Sequence, residues 1–354
     1  MSSYLPATFK KVIFALIFAT SFFIILTYVL SMGLGILVVF STAKGLEFSR
    51  GSILLYPLFV SEVEVIVNAG AYFLFLWWIF AFCFVAAYKY RQNFLAKVKE
   101  LFSGNIEKPF SSNLLAMPAI TSTLLVATIL LHLLQTRSGI PTGAPREEEP
   151  FLDFLRFSQA PLTEEIYFRI IPIGAFLVTY IFLVGMRSRP DFSFGQRVKT
   201  CILSVLQPDN AKEIVGLKTI SKDGLFKGLT WAEWIMVFLT ASFFGVAHFL
   251  GGWGLGKISQ AGISGAAFAL AYLYYGVQAS ILLHWYFNYY FTVFDLSSEF
   301  YVNLGLVDSL VLSANFFLGI IIFFTIVVFG IVAVLQLVKR KPKAVAVPEP
   351  PPDI

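Results

Sequence analysis

Two cysteines and three histidines are spread over 354 residues, and only 13% of the positions carry a charge. Cys83 sits inside an apolar run and Cys201 in a long polar stretch, so neither a disulfide framework nor a CxxC metal site can be built. The shortage of charge excludes an ordinary soluble domain, because 58% of the residues are hydrophobic and 17% aromatic. Mean hydropathy is correspondingly high, +0.78. The net charge of +5 is scattered over loops and gathers into no basic face, which excludes nucleic acid as a partner. The chain reads as an integral, multi-pass membrane protein whose solvent is membrane lipid.

A membrane span needs about 20 mostly apolar residues. That length predicts about eight transmembrane helices, near 12–38, 70–88, 113–135, 161–185, 231–250, 258–276, 277–297 and 312–338. The expected fold class is all-α, a polytopic membrane helix bundle with a single transmembrane domain over 1–342. The first run follows Lys10 and Lys11 but is too long for a signal peptide and lacks a clear small-residue cleavage site. Segment 53–70 is broken by Pro57, Glu62 and Glu64, which predicts an interfacial or re-entrant piece. Residues 186–230 form a connector with one short amphipathic stretch, and 343–354 a disordered Pro-rich tail.

Alternating the loops places 19 of the 26 Lys and Arg residues on one side and six on the other. The positive-inside bias then puts both termini in the cytoplasm. Arg169, the one left over, lies inside the fourth span.

An ionisable group inside a span is costly enough to suggest function. Residues four apart share a helix face, so in "EEIYFR" Glu165 and Arg169 can pair, leaving Glu164 without a local partner. In "FGVAH" Phe244 lies one turn below His248, and in "HWYFN" His284 and Asn288 share a face. A carboxylate, an imidazole, and an imidazole with a carboxamide suit peptide hydrolysis. Glu and His orient and deprotonate a water, while His and Asn donate to the tetrahedral oxyanion. His132, in "ILLHLLQ", has no such motif and reads as a hydrogen-bonded packing or interface residue.

These three phrases resemble the EExxxR, FxxxH and HxxxN motifs of the CPBP intramembrane proteases, the group of type II CAAX prenyl endopeptidases and bacteriocin-processing or self-immunity enzymes. The order of the motifs is also similar, and the likeness covers about 161–297 as a catalytic core. The resemblance implies that Glu164 activates water with His248 and that His284 with Asn288 forms the oxyanion site. Glu165 and Arg169, with Phe244, would support the site. It implies a membrane-bound peptide or protein substrate, with a prenylated CAAX-type protein among the candidates. A zinc-type and a metal-free, glutamate-type mechanism are both open in that group. Here the sequence favours no cofactor, since it has no HExxH pair and Asn is a poor zinc ligand. Were zinc bound, Glu164, His248 and His284 would be its ligands.

Rival readings remain in view. Glu165 and Arg169 suit a structural clamp, and a cluster of intramembrane Glu, Arg and His also suits a transporter or a non-catalytic adaptor. No inverted repeat supports the transporter. Ala261, Gly265 and Ala269 predict close packing of the sixth span on a neighbour. "GGWGLG" (251–256) reads as a gate or, more simply, a turn. The charge bias places Glu164 and His248 near the outer face, yet it places His284 roughly 10 Å in from the inner one. A common site then requires a tilted span or a position nearer the midplane.

Overall fold

A computed structural model describes residues 7–55, 65–90, 93–102, 111–143 and 149–339. Among these residues the chain forms fourteen helices and one two-stranded sheet. The helices are α1 (Ala7–Ser41), α2 (Ala43–Arg50), α3 (Ala69–Lys89), α4 (Phe94–Phe102), α5 (Asn113–Arg137) and α6 (Pro150–Ser188). Four short helices follow: α7 (Phe194–Leu206), α8 (Pro208–Ile214), α9 (Ile220–Asp223) and α10 (Leu225–Gly228). The chain then returns through α11 (Trp231–Leu250), α12 (Lys257–Tyr275), α13 (277–298) and α14 (Leu304–Lys339). The all-α bundle is as expected. Six helices, α1, α3, α5, α6, α11 and α14, are long and apolar enough to cross a membrane. The count of eight is not reached by that measure. Helix α12 opens on Lys-Ile-Ser-Gln, and α13 carries His284, Asn288 and Asp295.

The largest departure from expectation is the start of α6. Its helix begins at Pro150, eleven residues before the span anticipated from hydropathy, because Asp153, Arg156 and Gln159 dilute the apolar signal. The start signals are local: the Glu149 carboxylate caps the backbone N–H groups of Phe151 and Leu152, and Pro150 takes the first helical position, where no N–H is missed. Glu164 consequently sits 14 residues inside the helix, about 21 Å from its end.

Helix α6 widens into π-turns at Ile166–Gly174 and Ile181–Gly185. Pro172 explains the first, since it donates no N–H and its ring crowds the carbonyl one turn back. A third π-turn, Tyr286–Tyr290, divides α13 into Val277–Trp285 and Phe291–Ser298.

Of segment 53–70, the described ends pair as an antiparallel ladder, β1 (Ser52–Leu55) with β2 (Val65–Asn68), Ser52 opposite Asn68. The pairing supplies partners for backbone groups that a re-entrant helix would have satisfied internally. Pro57, Glu62 and Glu64 lie outside the described residues, as does the 343–354 tail.

The core is aromatic. Trp285 stacks on Tyr289 at 5.3 Å and meets Phe84 edge-on at 5.1 Å, joining α13 to α3. Behind it, buried Asn315 of α14 accepts from Tyr286 Oη (2.9 Å) and Ser122 Oγ (3.2 Å), and donates to the Val311 carbonyl (2.8 Å). Helices α11 and α12 pack almost backbone to backbone. A Cβ on Gly245 would fall 2.2 Å from the Ile258 carbonyl oxygen, so only glycine permits the approach. Ala261, Gly265 and Ala269 are all buried in α12, and Gly265 faces Ala241 of α11.

The connector is a folded unit. Buried Lys212 of α8 donates to both carboxylate oxygens of Glu233 (2.7 and 2.9 Å) and to the Gly228 carbonyl (2.8 Å), tying the connector to the first turn of α11. Helix α7 exposes Phe194, Val198 and Ile202 while burying Thr200 and Ser204, the pattern of a helix lying at a lipid interface.

Candidate active site

Three helices bring the seven candidate residues into one cluster: Glu164, Glu165 and Arg169 from α6, Phe244 and His248 from α11, and His284 and Asn288 from α13. A fourth, α12, closes it with Gly265 and Phe268. The i,i+4 pairs anticipated within each helix are all in contact. Arg169 donates to Glu165 Oε1 at 2.9 Å, His248 reaches the backbone of Phe244, and Asn288 Nδ2 lies 3.4 Å from His284 Nε2.

Arg169 and Glu165 are wholly inaccessible. The guanidinium also donates to the Gly265 carbonyl (3.1 Å) and lies 4.3 Å from the Phe244 ring centre, so its charge meets a carboxylate, a carbonyl and an aromatic face. Across 119 residues of sequence, Glu165 Oε1 accepts a second hydrogen bond, from His284 Nδ1 at 2.9 Å. This long-range bond was not legible from spacing. Phe244 meets the ring of His248 at 4.6 Å and that of His284 at 5.6 Å, while Phe268 stacks on His284 at 5.2 Å.

The partners fix which nitrogen faces the cavity. A carbonyl only accepts, so His248 Nδ1, 2.8 Å from the Phe244 oxygen, carries its proton. The carboxylate of Glu165 imposes the same on His284 Nδ1. Each imidazole therefore turns its Nε2 toward Glu164, whose Oε2 is 3.9 Å from His248 Nε2 and 3.6 Å from His284 Nε2. That oxygen is buried and has no hydrogen-bond partner among the described residues. Two imidazole nitrogens and one carboxylate oxygen thus converge on one point. Glu164 itself remains 20% exposed, which distinguishes it from the sealed Glu165.

A cavity of about 130 Å³ lies beside the two imidazoles, lined by His248, His284, Asn288, Lys257, Gln260 and Ser264 among others, with Glu164 outside its lining. Sequence reasoning missed the last three, which depend on how the 251–256 turn folds. Gly254 N and Gly256 N donate to the Gly143 and Pro141 carbonyls (both 2.9 Å), and Gln135 donates to the Gly256 carbonyl (2.9 Å). The turn is thus tied down, and Trp253 comes 5.9 Å from His248. His132 stands apart from the cluster, exposed and bonded to Thr142 Oγ1 at 2.9 Å.

Among the described residues no group of three or more His, Cys, Asp or Glu side chains is arranged to hold a metal ion. The set that zinc would use stands with Glu164 Oε2 3.9 and 3.6 Å from His248 Nε2 and His284 Nε2, and Asn288 Nδ2 lies 3.4 Å from the latter.

Residues 148–290 match the family model described as type II CAAX prenyl endopeptidase Rce1-like. The matched stretch runs from the head of α6 through the third π-turn and contains every residue of the cluster. No curated protein and no solved structure matches the chain.

Proposed function

We propose that this chain, whose residues 148–290 match the family model of the Rce1-like type II CAAX prenyl endopeptidases, is a member of that group and hydrolyses a peptide bond with a water activated by Glu164 and His248. It is a CAAX-type intramembrane protease acting on a membrane-embedded peptide or protein. One observation carries the assignment of residues: the convergence of Glu164 Oε2 with the Nε2 atoms of His248 and His284, beside a small cavity that both imidazoles line. A water bound there donates one hydrogen to Glu164 and the other to His248. Removal of a proton by Glu164 produces the attacking hydroxide, and its oxygen bonds to the scissile carbonyl carbon. The carbonyl oxygen becomes an oxyanion that accepts from Asn288 Nδ2 and from His284 Nε2–H.

His284 can donate from Nε2 only as the imidazolium, since its Nδ1 proton is already committed to Glu165. Glu165 is the counter-ion of that state, and Arg169 orients Glu165. Collapse of the tetrahedral intermediate breaks the C–N bond, and the proton held by Glu164 passes to the leaving amine. No metal enters this scheme. A prenylated substrate is supported by an apolar groove of about 370 Å³ between α6 and α11, lined by Tyr167, Phe168, Pro172, Phe243 and Leu250. Its lining begins three residues from Glu164. The positive-inside bias supports cytoplasmic termini.

The test is cleavage of a prenylated CAAX-type reporter peptide by the purified chain in detergent, beside Glu164→Gln, each with and without a zinc chelator. Loss of about 10²–10⁴ in turnover for the variant, with chelator inert, is expected. A variant as fast as wild type overturns the role of Glu164, and inhibition by chelator overturns the metal-free scheme.

A further inference from the structure

The chemistry above makes no use of a groove between α1 and α3. It holds about 530 Å³ and its walls are apolar, with Trp77, Ala81 and Phe84 of α3 beside Tyr28 and Met32 of α1. One charge lines it. Lys89, in the last turn of α3, is exposed, and no carboxylate among the described residues shares the lining. The first turn of α5 reaches the same groove through Leu114, and its N-cap Ser112 makes no side-chain capping bond. The positive end of that helix therefore adds to the field of Lys89.

The walls are held in place. Trp77 Nε1 donates to the Met32 carbonyl at 2.9 Å, while Tyr28 and Phe84 meet Trp285 edge-on at 5.7 and 5.1 Å. A groove fixed in this way is preformed for a ligand. Its depth is set by α3, a helix long and apolar enough to cross a membrane from Ala69 to Lys89. Trp77 lies near the middle of that helix and Lys89 at its end, so the lining runs about 18 Å along the axis. One leaflet supplies about half of a hydrocarbon core about 30 Å thick. The groove is thus one leaflet deep, with its cation at the level of the headgroups.

We infer that the groove holds an acyl chain of a phospholipid whose net negative headgroup rests on Lys89. A chain fills an apolar trough that ends near the midplane, and an exposed ammonium at the shallow end attracts the phosphate. A zwitterionic head would bring a cation of its own to a mouth without a carboxylate.

The experiment titrates the full chain, purified in detergent, with phosphatidylglycerol carrying a brominated acyl chain and, separately, with phosphatidylcholine carrying the same chain. Bromine quenches indole fluorescence at close range, and Trp77 lines the groove. Neither arm requires proteolysis. Wild type is expected to reach half-maximal quenching at a roughly fivefold lower mole fraction of the anionic lipid. In Lys89→Gln that preference falls toward one, and in Lys89→Arg it returns. Lys89 is exposed, so both variants keep the packing intact. Trp77→Phe should lose the headgroup-dependent part of the quenching, and Ala81→Leu, which fills the trough, should weaken quenching by both lipids. Equal curves for the two lipids in wild type, or an unchanged preference in Lys89→Gln, overturn the assignment. Displacement of the brominated lipid by an uncharged prenylated peptide also overturns it and gives the groove to substrate.

Discussion

Replacing Glu165 by glutamine removes one charge from a pair that is sealed from solvent and leaves the guanidinium of Arg169 with a neutral amide, the Gly265 carbonyl and three aromatic rings but no counter-charge in contact. Uncompensated burial of one partner of such a pair costs about 3–5 kcal/mol, whereas replacing both partners by neutral groups of similar size is often close to neutral. Glu165→Gln is therefore expected to lose about 3–5 kcal/mol, and Glu165→Gln with Arg169→Met to recover most of it, giving a coupling of at least about 1 kcal/mol. The assay is reversible denaturant unfolding in mixed micelles for wild type, both single variants and the double variant. Turnover of the reporter peptide is measured alongside. The double variant should regain stability but not rate, because a neutral glutamine no longer balances the imidazolium of His284. Additive single effects, each below about 1 kcal/mol, would show that the two groups do not act as a buried charge pair. Recovery of rate together with stability would show that Glu165 serves only as a clamp.

Three further outcomes follow from close contacts. Gly245→Ala drives a methyl group against the Ile258 carbonyl and is expected to cost about 1–3 kcal/mol by forcing α11 from α12, read as a lower midpoint in the same unfolding assay. Asn315→Leu removes the shared acceptor of the Tyr286 and Ser122 hydroxyls and should destabilise by about 1–3 kcal/mol, with unchanged stability refuting the network. Lys212→Met leaves Glu233 charged and buried, and protease digestion should then cut the connector before the spans are lost.

The helical segments and the i,i+4 pairs were legible because both depend on periodicity along one stretch of chain. Glu165 with Arg169, Phe244 with His248 and His284 with Asn288 are read from spacing alone. The bond from His284 to Glu165 was not, because it joins turns of different helices and depends on the rotation of each about its axis. Lys257 reads from spacing as no more than a charge between two spans, since its place on the cavity depends on the 251–256 turn pairing with 141–143. The head of α6 was hidden for a different reason. Hydropathy weighs Asp153 and Arg156 against a span, whereas Glu149 and Pro150 mark a helix start whatever follows. The fold of the connector likewise depends on buried ion pairing between Lys212 and Glu233, which charge counting reads as solvated.

The three π-turns leave α6 and α13 each composed of pieces that keep separate angular frames. A residue in an α-helix advances about 100° around the axis, so the extra residue taken up by a wide turn offsets everything after it by about that angle. In α13 the offset falls between His284, which faces the cavity, and Phe294, which packs into the aromatic core. Removing one residue from 286–290 would make the helix more regular yet swing one of these faces out of place. The irregular turn acts as a phase converter between two neighbours that demand different faces of the same helix, and regularity there would be the defect.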